Sequence, residues 1–174
     1  GVRPLERFRM EDFAKKLEEM EQNPQIQKLK QFPQHDGNNT FQHCHNVAVY
    51  SFYLAQRLQW DIDVESLVMG AMLHDYYLYD ARNCELTNYQ HCVSHPKTAV
   101  KNASKCFALN EKTKNIIRSH MWPMPFVERP RSKEAVLVNM SDKYCAYQEM
   151  HKGIQKVEDM IPNQRRVLVP GCSH

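Results

Sequence analysis

A chain of 174 residues and 20.5 kDa has room for one domain built around one core. With 42% hydrophobic residues, 25% charged residues, 5 Gly and 9 Pro, it is neither disordered nor fibrous. The 23 Lys+Arg against 20 Asp+Glu leave a net charge of +3, which sets nucleic-acid polymers and anionic membranes aside as partners, and nine His are the unusual count.

No apolar run approaches the ~18–20 residues of a membrane span, and no basic stretch followed by an apolar run opens the chain, so a soluble cytoplasmic protein is expected. Cys44, Cys84, Cys92, Cys106, Cys145 and Cys172 are scattered without a Cys-x-x-Cys pair and read as reduced thiols. Cys84, His91, Cys92 and His95 form a local zinc alternative, which Pro96 and the irregular spacing disfavour.

In chain order the pattern is one of successive helices, and an all-α, single-domain bundle is the expected fold. Residues 1–34 are expected to pack as an N-terminal helical segment on a core of residues 35–150, with 151–174 as a tail. Leu5, Phe8, Phe13, Leu17 and Met20 recur at helical spacing before Pro24 interrupts. Gln34 to Thr40 is loop chemistry, ending in Thr40 as a candidate N-cap. The helix expected from there to about Leu58 carries His43, Val47, Tyr50, Leu54 and Leu58 on one stripe, which turns His43 to the core.

Asp61 and Asp63 can start the next helix, whose run from Leu67 to Leu73 is apolar all round and must be central. It ends in His74-Asp75, two ionisable groups that need partners when buried. Asn83 to Ser94 reads as irregular, with His95-Pro96 opening a helix through Val100, Ala103 and Phe107. Asn110 can cap a helix carrying Ile116, Ile117 and His120. A last long helix is expected from about Ser132 to Met150, with Ala135, Val138, Asp142 and Cys145 on its inner stripe. Beyond Ile161, Pro162, Pro170 and Gly171 suggest a tail in which Arg166 to Val169 could extend along the surface.

Five helices thus bring His or Asp to the core side: His43, His74 with Asp75, His95, His120 and Asp142. Six such groups buried without a cation would be costly. Imidazole and carboxylate without thiolate suit Fe, Mn or Zn, and helical bundles build two-metal sites from such groups.

The order His43, then His74-Asp75, then Asp142 resembles the HD-domain superfamily of metal-dependent phosphohydrolases over roughly His35 to Met150. The segments His74 to Asp80 and His120 to Pro123 are similar to those of small, poorly characterised bacterial members. The resemblance implies an all-α fold and two divalent ions, iron or manganese foremost, with zinc, magnesium or nickel as the other candidates. It implies that His43, His74, Asp75 and Asp142 hold one ion, that His95 and His120 complete a second, and that Asp75 bridges the two. It implies cleavage of a phosphoester of a nucleotide or other small phosphorylated metabolite by a metal-activated hydroxide. Branches that cleave cyclic dinucleotides or diadenosine tetraphosphate tend to carry Lys three residues after the metal-binding Asp, where this chain has Leu78. The same ligand set also serves di-iron oxygenases in the superfamily, and a catalytically silent small-molecule sensor is a third reading.

Charge is unevenly divided: residues 1–90 hold 9 Lys+Arg against 13 Asp+Glu, and residues 91–174 hold 14 against 7. Lys97, Lys101, Arg118, Lys133 and Lys143 lie on or beside the ligand-bearing helices. Lys97 and Lys143 are the first candidates to bind a substrate phosphate, with Arg118 behind them, and His35 is a candidate at the pocket mouth. Asp80 is a candidate to orient a ligand or shuttle a proton, against the alternative of an exposed turn residue. His45, His91, His151 and His174 have no role legible in the sequence.

Overall fold

A computed structural model describes residues 4–34 and 37–161, with side chains from residue 9 onward. His35 and the segment from Pro162 to His174, with Cys172 and the expected extension of Arg166 to Val169, lie outside the described residues. The described chain is all-α, with helices α1 (Pro4–Gln22), α2 (Pro24–Gln27), α3 (Thr40–Leu58), α4 (Val64–Leu73), α5 (Asn88–Ser104), α6 (Glu111–Arg118) and α7 (Lys133–Lys152). Short 3-10 turns at Lys28–Gln31 and Val157–Met160 complete it. Among the described residues no helix is long and apolar enough to cross a membrane. Cys44, Cys84, Cys92, Cys106 and Cys145 are all free thiols.

α4 is the central element. Asp63 caps its start by accepting from Ser66 N, and every residue from Ser66 to Leu73 is buried. It packs against α1, α3, α6 and α7. Its packing on α6 requires Gly70: a Cβ there would press into Ile116, meeting its Cβ at 2.8 Å. α3 packs between α4 and α7, and Phe13 of α1 stacks on Phe52 of α3 with ring centres 4.2 Å apart.

Three expectations need correction. The N-cap of α3 is Asn39, which accepts from Gln42 N at 2.8 Å, while Thr40 is the first helical residue and donates its N–H and hydroxyl to the Phe32 carbonyl. The stripe from His43 to Leu58 does not stay buried: His43 and Val47 are inside, Tyr50 and Leu54 are half-buried and Leu58 is 46% exposed. The buried face of α3 runs through Cys44, Ala48, Ser51 and Ala55, so this stripe lies along its edge, and Leu58 is the last helical residue, between exposed Arg57 and Gln59. α5 does not open at His95-Pro96 but at Asn88. Thr87 and Gln90 form a reciprocal capping box, so helix begins within the stretch expected to be irregular, and Pro96 lies inside it.

A half-buried clamp ties the C-terminal end of α1 and the last 3-10 turn to α3. His45 sits between Glu21 of α1, bonded at Nδ1, and Glu158 of the final 3-10 turn, 3.0 Å from Nε2. Burial alone would depress His45, but the two carboxylates outweigh it and raise its pKa from 6.5 to about 9. A raised pKa stabilises the fold fully below about pH 6.5 and is lost as pH rises through about 9. Chemical denaturation across that window should show a stability loss that His45→Gln flattens. Gly70→Ala should destabilise the fold by about 1–3 kcal/mol through overpacking against Ile116, as read from the denaturation midpoint.

Candidate metal centre

Five pieces of chain deliver six donor side chains to one buried place. α3 brings His43 on its first turn, the C-terminal end of α4 brings His74 and Asp75, and α5 brings His95. The loop after α6 brings His120, and the middle of α7 brings Asp142. All six are at least 92% buried, the most exposed being Asp142 at 8%. They form two groups compatible with holding a metal, His43, His74, Asp75 and Asp142 in one and Asp75, His95 and His120 in the other.

In the first group Asp142 Oδ1 lies 2.9 Å from His43 Nε2 and 3.2 Å from His74 Nε2, and the two nitrogens are 3.3 Å apart. In the second, the Nε2 atoms of His95 and His120 are 2.9 Å apart. Asp75 joins the groups: Oδ2 lies 3.6 and 3.5 Å from His43 and His74, and Oδ1 lies 3.3 and 3.4 Å from His95 and His120.

The imidazoles are oriented from behind. Nδ1–H donates to the Glu149 carboxylate from His43 (3.0 Å), to the Ala71 carbonyl from His74 (2.6 Å), to the His91 carbonyl from His95 (2.8 Å) and to the Ile117 carbonyl from His120 (2.6 Å). Each neutral ring therefore presents a bare Nε2 to the centre. Lone pairs then face lone pairs and carboxylates, so the centre holds together only around cations or protons. The titration directions agree. Burial alone would lower His43, but hydrogen bonds to Asp142 and Glu149 hold it well above its usual value. Burial would also lower His74, and the charge of Asp75 reverses this. Burial would raise Asp75 and Asp142, yet the surrounding imidazoles hold both well below the usual carboxylate range. Protons thus occupy the lone pairs that a cation would claim, and the two compete. The donor set fits divalent metal.

A cavity of about 340 Å³ opens onto five of these donors, His43, Asp75, His95, His120 and Asp142. Beyond them its wall includes Gln34, Tyr77, His91, Met121, Lys143 and Met150. Lys143 is exposed at the rim and donates to the His120 carbonyl at 3.3 Å; partial desolvation, opposed by Asp142, lowers its pKa. Lys97, Arg118 and Asp80 are not among the lining residues. Asp80 closes a turn instead, accepting from Arg82 N at 2.9 Å and Asn83 Nδ2 at 3.2 Å. Leu78 packs on the core. The Cys84, His91, Cys92, His95 alternative does not bring its donors together into either group.

Several supporting residues were not anticipated. Glu149 lies seven residues after Asp142, two turns on along the same face of α7, and that spacing was the available signal. Gln34 donates to Asp75 Oδ2 (3.4 Å) and to the Tyr77 hydroxyl (3.2 Å). Asn139 donates to the carbonyls of Ser119, His120 and Trp122 at 2.9–3.1 Å, fixing the loop that carries His120. His91 also reaches the cavity, and burial, with His95 and His120 nearby, pushes its pKa down to about 4.

Comparison with known proteins adds one finding. The family model described as HD domain matches residues 40–147, well over half of the chain. No match was found among curated proteins or among solved structures.

Glu149→Gln should leave the helical signature in circular dichroism unchanged and weaken divalent metal binding about 10–100-fold in chelator competition. Affinity equal to the unmodified protein would remove Glu149 from the support of His43.

Proposed function

The chain belongs to the HD-domain family, and from that premise we propose that it is a metal-dependent phosphohydrolase cleaving a phosphoester of a nucleotide or other small phosphorylated metabolite. The observation that carries this reading is the placement of Asp75, which turns one carboxylate oxygen to each donor group in the manner of a ligand shared by two cations. His43, His74, Asp75 and Asp142 would hold one divalent ion, and Asp75, His95 and His120 a second, with iron or manganese the metals best matched to an imidazole and carboxylate set. Divalent ions so held acidify water and stabilise charge on a phosphoryl oxygen.

The protein's own groups do the remaining work. Glu149 and the three carbonyls hold the imidazoles in the ligating tautomer before any substrate arrives, and Gln34 steadies Asp75. Lys143 is the cationic side chain among the described residues lining the cavity, and its ammonium supports binding of a phosphate oxygen. At about 340 Å³ the cavity sits at the small end of ligand pockets, which favours a metabolite over a polymer. Asp80, Lys97 and Arg118 take no part on this reading, because none of them lines the cavity.

Phosphate release from a panel of nucleotides and small phosphomonoesters, with Mn²⁺ or Fe²⁺ supplied, tests the reading. The unmodified protein should turn over at least one member, Asp75→Ala should abolish turnover while the helical signature survives, and Lys143→Met should raise KM roughly tenfold. Oxygen consumption by iron-loaded protein without phosphate release would move the assignment to a di-iron oxygenase. Ligand binding with neither activity would move it to a sensor.

A further inference from the structure

We propose that His91 binds a phosphoryl oxygen of the substrate as a neutral Nε2–H donor, held in that tautomer by Tyr79. The phosphoryl ligand rests on the phosphohydrolase reading, whereas the tautomer does not. His91 sits one turn before His95 on α5 and lines the cavity without belonging to either donor group. Its ring is fixed on three sides: it stacks on His95 at 4.4 Å and 17°, and it meets Tyr77 and Tyr79 edge-on at 5.1 and 5.5 Å.

The Tyr79 hydroxyl lies 2.6 Å from His91 Nδ1. A phenol is a stronger donor than a neutral imidazole N–H, and an imidazole nitrogen is a stronger acceptor than a phenol oxygen, so the favoured sense has Tyr79 donating. The ring proton then resides on Nε2, for which no hydrogen-bond partner is found among the described residues. The four centre-facing imidazoles have the opposite arrangement, with Nδ1–H donated to a carbonyl or carboxylate and a lone pair offered at Nε2. His91 meets a hydroxyl in place of such an acceptor and so offers a proton where the others offer a lone pair. A neutral donor on the wall beside a cation-binding centre adds no repulsive charge, and a phosphoryl oxygen is the acceptor that the proposed substrate brings there.

Two measurements on Zn²⁺-loaded protein test the proposal, with inorganic phosphate as the probe. Long-range ¹H–¹⁵N correlation of ¹⁵N-histidine-labelled protein should show His91 protonated at Nε2, and Tyr79→Phe should reduce that population. Calorimetric titration should show the phosphate Kd rising about tenfold in His91→Phe and in Tyr79→Phe, and rising less in His91→Gln, which keeps an N–H donor. An Nδ1-protonated His91 in the unmodified protein, or a His91→Phe Kd equal to the unmodified one, would overturn the proposal and leave the phosphohydrolase reading standing. Failure of the unmodified, metal-loaded protein to bind phosphate would overturn both.

Discussion

A centre whose inward-facing atoms are all acceptors sets the terms for this fold. Four imidazoles have their Nδ1 protons committed to outer acceptors, so that bare Nε2 atoms approach one another at 3.3 and 2.9 Å beside two carboxylates. Neutral nitrogens at that separation repel, and unpaired carboxylates buried beside them would cost several kcal/mol. Only positive charge relieves both problems. The protein keeps this arrangement rigid by spending backbone carbonyls at helix ends on it: Ala71 and Ile117 each accept from the imidazole three residues later, and His91 accepts from His95 four residues later.

The scaffold follows from that requirement. α4 is apolar on all sides because its task is to deliver His74-Asp75 to the interior, and Gly70 lets it lie close enough to α6 for His120 to join from the loop beyond. Nearby, ring centres of His74 and His120 are 4.8 Å apart. α7 does double service: Asp142 faces the donors, while Asn139 and Lys143 on either side of it hold the loop that carries His120. Glu149, two turns farther on, reaches back to His43, so one helix touches both donor groups directly or through support.

Much of this was legible in the sequence where burial and periodicity coincide. The apolar run from Leu67 to Leu73 reads as a central helix, and the 3, 4, 3 stripe through Asp142 reads as an inner face; both are buried as expected. The resemblance carried by His43, His74-Asp75 and Asp142 agrees with the family to which the chain belongs. What stayed hidden depends on contacts between distant segments. Glu149 looks like a surface acid until His43, 106 residues away, is placed beside it. Gln34 gains meaning only beside Asp75, and His91 only when Tyr79 closes on its Nδ1. Pro96 misled for a different reason: a reciprocal cap at Thr87 and Gln90 starts α5 upstream and carries the helix through the proline.

On the proposed function these donors would hold two cations, with Asp75 shared between the two groups. Anomalous X-ray diffraction from crystals grown with Mn²⁺ tests it most directly. Two peaks are expected ~3.5–4 Å apart, one against each donor group, with an oxygen of Asp75 turned to each. A single peak among His43, His74, Asp75 and Asp142, with His95 and His120 bonded to each other and not to metal, would contradict it.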